Sequence, residues 1–265
     1  MRVRILSIIL ILLSPTLWAE DDIAPLCGGP DFFIGMVDRG GNANSPCTAY
    51  GGRFIAEFGY NLQSLYPEAG SQENFPSPLL RYGLGNKTEI NYQPPSYVSQ
   101  STSPKSGFTA SILGIKHEFY FTSDTIFSVE SLLTLPDGSS TYGSSEIGGV
   151  VNLMFSAKLN NALSLTSILG FAQYSQPRYE GRAHYQGLAP DLVLTWSYSN
   201  HLNLYGEVYA QSKTAPDQGW GVDGDIGVLY MPKPWLVLNL GIGHRISGQL
   251  NGMRQFITTG ISIHN

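Results

Sequence analysis

Charge is scarce in this chain of 265 residues: 13% of them are Asp, Glu, Lys or Arg, against about a quarter in an ordinary soluble domain. Hydrophobic residues make up 42%, so much of the surface is expected not to face bulk water. Long apolar runs are missing beyond the first 19 residues, and none approaches the roughly 18–20 residues that a membrane helix needs. Extended helical periodicity is missing as well. If the chain enters a membrane it must do so as a barrel, because in lipid only helices and closed barrels satisfy every backbone polar group. Basic residues are outnumbered by acidic ones, 15 to 20, which argues against nucleic acid as a partner. Cysteine is limited to Cys27 and Cys47, with no further Cys or His close by to complete a metal site, and no cofactor motif is present. The stretch "GLGNKTE" lacks the glycine spacing of a phosphate loop.

Residues 1–19, "MRVRILSIILILLSPTLWA", have a basic start at Arg2 and Arg4, an apolar run from Ile5 to Leu13 and a cleavage position after Ala19. This pattern predicts a secretory signal peptide. Without it 13 basic and 20 acidic residues remain, a net charge of −7. On the exported side of such a signal, Cys27 and Cys47 are expected to form a disulfide. The Gly- and Asn-rich segment 20–51 is too short for a core of its own. Two readings of it stand: it packs at the periplasmic mouth or in a lumen through Phe32 and Phe33, or it is a disordered leader.

From residue 52 onward the chain alternates apolar and polar residues over stretches of about ten to fifteen, divided by turn residues. In "PSPLLRYGLGNKTEINYQPP", a connection at Gly85-Asn86-Lys87 sets Leu84 opposite Thr88, Tyr82 opposite Ile90 and Leu80 opposite Tyr92 on one face. The other face pairs Gly83 with Glu89 and Arg81 with Asn91, so that Arg81 and Glu89 are diagonal neighbours. Ten further runs of this kind lie between Arg53 and Asn265, giving with the two of the hairpin twelve predicted strands. Connections are short at 85–87, 121–123, 160–161, 199–201 and 233–234. They are long at 63–77, 99–106, 137–145, 176–188, 212–219 and 247–254. Strict alternation of short turns with long loops, and an even strand count, predict an all-β transmembrane antiparallel barrel of the bacterial outer-membrane type over 52–265. Short turns and both chain ends then lie on the periplasmic side. Such a barrel implies outer-membrane lipid, a small-molecule solute and barrel-assembly machinery as partners. The chain ends on Ile263-His264-Asn265 and not on the terminal aromatic residue that this machinery often reads.

Strand parity turns Arg53, Glu57, Arg81, Glu89, Lys116, Glu118, Glu130, Asp191, Glu207, Asp223 and Asp225 inward as lumen-lining residues. They fit either a structural network, since buried charges persist only when paired, or a polar pathway whose acidic excess favours cations or donor-rich solutes. Outward parity falls on His117 and His244, the only candidates for a lipid hydrolase. Neither has a nearby Ser and Asn in a catalytic arrangement, so an enzyme is not expected. A closed structural or surface barrel is the alternative to a channel.

Several phrases carry a family resemblance. "LLRYGLGNKTEINY" with Arg81, Gly83 and Glu89, "SGFTASILGIKHEF" with Gly107, Gly114 and Lys116, and "LTLPDGS" with Leu135, Pro136 and Gly138 are followed by "LYGEVYAQSK" with Glu207 and "GVDGDIGVLY" with Asp223. In order and spacing these resemble the blocks of the transporter-like outer-membrane family named for the meta-pathway of phenol degradation. The resemblance implies passive carriage of small solutes, with hydrophobic or aromatic cargo suggested by the family name. The chain departs from that pattern in three places. It has "GGPDF" where the family opens on Asp-Arg-Pro-Asp, and Ala110 and Asn239 stand at positions that are often acidic.

Overall fold

The computed structural model describes residues 25–28, 32–65 and 70–265; the signal-peptide expectation for 1–19 lies outside them. Fifteen strands follow one another along the chain: β1 (Phe54–Leu65), β2 (Ser71–Phe75), β3 (Leu79–Gly85), β4 (Thr88–Gln93), β5 (Tyr97–Gln100), β6 (Ser106–Phe108), β7 (Ile112–Phe121) and β8 (Thr125–Thr134). Then come β9 (Gly148–Lys158), β10 (Leu163–Ser175), β11 (His184–Ser199), β12 (Leu202–Gln211), β13 (Gly221–Lys233), β14 (Leu236–Gly248) and β15 (Met253–His264). They form a single sheet, antiparallel throughout, that closes on itself where β15 pairs with β1, from Ile55 opposite His264 to Leu65 opposite Met253. Closure leaves no open edge around the ring; the far side of β6 is met by the 137–145 loop, where the Ser139 amide donates to the Phe108 carbonyl at 2.9 Å. Twelve staves make the ring, because β2 continues β3, β5 continues β4, and β6 continues β7.

The wall follows from period-two patterning. Phe119, Leu153, Leu192, Ile226, Leu240 and Ile261 point outward and remain exposed, Ile226 to 61%. Their inward neighbours Glu57, Arg81, Lys116, Glu130 and Asp225 are buried. A soluble protein rarely exposes so broad an apolar face, whereas lipid covers such a band in an outer-membrane barrel. Among the described residues no helix is long and apolar enough to cross a membrane.

Three differences from the sequence reading have local causes. At the β3–β4 turn Asn86 and Lys87 both adopt positive φ, 50° and 59°, as a two-residue type I′ hairpin requires. Thr88 therefore pairs with Gly85, not Leu84, while the register from Gly83–Glu89 to Leu80–Tyr92 stands as predicted. The expected long connections 63–77 and 99–106 contain paired strand: Ser64 lies opposite Ser71, and Ser99 opposite Ser106. Residues here are polar on both faces, so no hydrophobic alternation marks them. Finally, three adjacent staves break at 76–78, 94–96 and 109–111. Proline, which has no N–H to give a ladder, stands in the first two, and side chains take over at all three. The Ser77 amide donates to Ser96 Oγ (3.0 Å), the Ser96 amide to Thr109 Oγ1 (2.9 Å) and the Ser111 amide to Asp137 Oδ1 (2.7 Å).

Candidate functional site in the barrel lumen

The segment before β1 enters the barrel as a strap without strand or helix between Met36 and Gly51. Its base is apolar. Phe33 and Met36 are fully buried and pack with Cys27, Ile34, Val37 and Cys47 against the inward side chains Ile55, Ile126, Met231 and Val237. Burying each large apolar side chain contributes about 1.5–3 kcal/mol. Cys27 and Cys47 are disulfide-bonded, with Cα atoms 5.6 Å apart. Phe33 stacks edge-on against His264 at 4.5 Å, tying the strap to the end of β15.

Above this base the strap exposes backbone polar groups that need partners, and the barrel's inward charges supply them. Arg81, fully buried, donates from Nε and Nη2 to the two Glu89 oxygens at 2.9 and 3.0 Å. It also donates to the Met36 and Cys47 carbonyls and lies 3.2 Å from Glu57. Lys116 Nζ donates to Asp38 Oδ2 and to the Ser45 carbonyl, both at 2.9 Å, and stands 3.6 Å from Glu89 and 3.8 Å from Glu130. Strap amides fall on barrel carboxylates in turn. Asp38 donates to Glu57 (3.2 Å), Thr48 to Glu118 (2.6 Å), Ala49 to Glu89 (2.6 Å) and Asn42 to Glu207 (2.6 Å). Asn44 Nδ2 reaches Glu130 at 2.8 Å. Charge-assisted bonds of this kind are roughly twice as strong as neutral ones.

Glycine allows the close approach. A Cβ on Gly83 would strike the Tyr50 carbonyl, and one on Gly41 the Glu207 carboxylate. Gly40 has φ +129° and lies against the Tyr205 ring, a backbone state that L side chains rarely adopt.

Ten of the predicted inward residues thus fall into two groups. Glu57, Arg81, Glu89, Lys116, Glu118 and Glu130 gather with Asp38 on the β1–β8 side; Asp191, Glu207, Asp223 and Asp225 lie on β11–β13. Arg53 also faces inward, apart from both groups: the ladder runs one residue beyond β1, with the Gly83 amide donating to the Arg53 carbonyl at 3.0 Å, and the side chain sits at the short-turn rim. There it donates to His264 and to the Asn265 carbonyl (2.9 Å) and lies over the Phe32 ring at 5.2 Å. Sequence reasoning missed Asp38, which salt-bridges both Lys116 (2.9 Å) and Arg81 (3.4 Å), and Arg39, whose guanidinium donates to the Ser77 carbonyl at the first stave break. Of the outward histidines, His117 hydrogen-bonds Thr88 at 2.8 Å, and His244 pairs in register with Gly224 and Gln255.

The strap leaves part of the lumen free. A cavity of about 400 Å³ runs between it and β9–β13, walled by Ser156, Thr166, Thr195, Ser197 and Asn203 and reaching Tyr205 and Glu207. Toward the long-loop rim, Leu250, Met253 and Phe256 form a second inward apolar cluster with Tyr209. A larger concavity, about 810 Å³, lies on the outer wall over Leu62, Val208, Ile226, Ile242 and Ile257, and so belongs to the lipid-facing surface.

Removing the disulfide tests how firmly the strap is held. With 20 residues separating the cysteines, its loss from a loop of that size is expected to cost about 3 kcal/mol. In a Cys27→Ser/Cys47→Ser variant the barrel should persist, while trypsin should cut at Arg39 faster than in the parent.

A twelve-stave closed barrel with an apolar exterior and a charged, partly filled interior has the architecture of the outer-membrane channels. Among solved structures the fold is similar to an outer membrane channel from Pseudomonas putida F1, at TM-score 0.65 and 14% identity, covering 84% of this chain and 99% of that one. It is also similar to the NanC porin, at TM-score 0.55 and 11% identity, and to the KdgM porin, at 0.53 and 10%; each alignment covers 79% of this chain and 98% of the other. At these identities the likeness is one of fold. The sequence matches no protein-family model and no curated protein.

Proposed function

We propose that this protein is a passive outer-membrane channel for small solutes, with its conduit between the luminal strap and the β9–β13 wall. The observation that carries the reading is the hydroxyl- and amide-lined cavity beside the strap, inside a barrel whose exterior suits lipid. A barrel built only as a wall has no need of a polar surface unoccupied by its own chain. The hydroxyls of Ser156, Thr166 and Thr195 offer donors and acceptors to a solute passing in single file. No energy-coupling device is part of this reading, which makes passage diffusive. The outer apolar cluster at Leu250, Met253 and Phe256, with the outer connection around 176–183, would act as the gate. The apolar exterior supports residence in the outer membrane, after export through residues 1–19 and insertion by the barrel-assembly machinery.

We also read the chain as a member of the transporter-like family that its sequence blocks resemble. Three of those blocks carry Arg81, Gly83, Glu89, Lys116 and Glu207, all of which touch the strap. The blocks on this reading specify strap docking, and the aromatic cargo suggested by the family name rests on that name alone.

Liposome swelling with neutral solutes of graded size tests the channel. Swelling is expected for the smallest solutes and should fall off steeply with size. Rates equal to those of protein-free liposomes at every size would favour the closed structural barrel instead.

A further inference from the structure

The carboxylates of β11–β13 are built differently from those on the opposite wall. Across the lumen every inward carboxylate meets Arg81, Lys116 or a strap donor. Among the described residues, the ion pairs within 4.0 Å gather on Arg81 and Lys116, apart from His184–Glu146 at the long-loop rim. On the β11–β13 side Glu207 lies directly opposite Asp225, while Asp191 pairs with Tyr209 and so is a diagonal neighbour of Glu207. Asp223 is the next inward residue on β13, with Arg245 of β14 opposite it in register. Like charges directly opposed across a ladder are destabilising.

The hydrogen bonding is also incomplete here. Asp225, only 4% exposed, has both carboxylate oxygens shut off from solvent and without a hydrogen bond, and Asp191 Oδ1 is in the same state. The Tyr205 hydroxyl, on a side chain 8% exposed, neighbours Asp225 without an aligned hydrogen bond to any group. Tyr205 is not acidic, and its ring lies across Gly227 and Gly241 with the hydroxyl between them. A buried polar group without a partner calls for a water, an ion or a ligand. Of these residues and the neighbouring Glu207, Tyr205 and Glu207 line the end of the free cavity.

Resting on the channel reading and specifying its solute class, we infer that Asp191, Glu207 and Asp225, with the Tyr205 hydroxyl, form a cation-binding constriction that favours small cations, amines in particular. A cation there offsets the repulsion between the opposed carboxylates, and an ammonium group brings N–H donors to Asp191 Oδ1 and the Asp225 oxygens, while Glu207 keeps the Asn42 amide. Among the described residues no three acidic, Cys or His side chains converge closely enough to ligate a metal ion. The site is therefore diffuse, suited to a singly charged cation and not to a tightly coordinated metal.

Reversal potentials in planar bilayers under a gradient of potassium chloride, and then of ethylammonium chloride, test this on the full-length protein. The parent is expected to reverse on the cation side with both salts. Asp225→Asn should lower the cation-to-anion permeability ratio at least about twofold, and Asp191→Asn/Asp225→Asn at least about fourfold, since a unit charge even about 10 Å away through water contributes a factor of about two. Folding of each variant is checked by heat-modifiable migration on a gel. The parent measurement decides alone if the variants do not fold. A conducting parent that reverses at zero or on the anion side overturns the cation site and leaves the channel standing. Cation selectivity that both folded variants retain in full overturns the assignment to these residues. A parent that does not conduct overturns the site and the channel together.

Discussion

Arg81→Met is expected to destabilise the folded barrel by about 3–5 kcal/mol, the usual cost of removing one partner from a buried ion pair. Arg81 is fully buried and lies within 3.4 Å of three carboxylates, those of Glu89, Glu57 and Asp38. Its removal leaves Lys116 as their cation, 3.6 Å from Glu89 and 2.9 Å from Asp38. The Met36 and Cys47 carbonyls lose their donor in the same step. Urea titration of the protein in detergent, followed by the gel shift between folded and heat-denatured forms, measures the loss. Arg81→Met/Glu89→Leu should cost less than the sum of its two single substitutions, because the second change removes one of the carboxylates stranded by the first. A parent-like midpoint for Arg81→Met would mean that water, and not the guanidinium, satisfies these acids.

That prediction depends on features that differ in how plainly the sequence shows them. The pairing of Arg81 with Asn91 and of Gly83 with Glu89 follows from two apolar faces in phase across one turn, and the structure has both pairs. Alternation was readable wherever one face meets lipid, and the twelve-stave ring came with it. It faded where both faces are polar, which is why paired strand at Ser71–Phe75 passed for loop. The strap carries no periodicity at all, because its groups bond outward to wall side chains and not along a ladder. Parity can say that Glu57 or Lys116 points inward. It cannot say that a strap amide or carbonyl waits there. One signal was present: Gly40-Gly41, as a segment pressed against a wall requires. Arg53 shows parity holding one residue past the assigned strand, since its carbonyl still takes the Gly83 amide.

Deleting residues 25–50 should raise single-channel conductance severalfold. The strap fills the lumen on the side of β1–β8 and reaches across to Glu207 through Asn42, leaving about 400 Å³ beside it. A barrel of this strand number is only slightly wider than one that its own side chains fill, so removing a strap of this bulk changes the narrowest cross-section more than any single substitution. The wall should survive. Its staves pair with one another around the full ring, and water can enter to hydrate Arg81, Lys116 and the carboxylates that the strap leaves behind. Heat-modifiable migration establishes that the deleted form is folded before it is recorded in planar bilayers. Asp38→Ala gives an independent measure, because it removes the carboxylate that holds Lys116 and Arg81 together. Loosening the strap in this way should produce an intermediate or flickering conductance. If the deleted form folds and conducts no better than the parent, the strap is not the narrowest point. The constriction then lies at Leu250, Met253 and Phe256 near the long-loop rim, where shortening the 249–252 connection should open the pore instead.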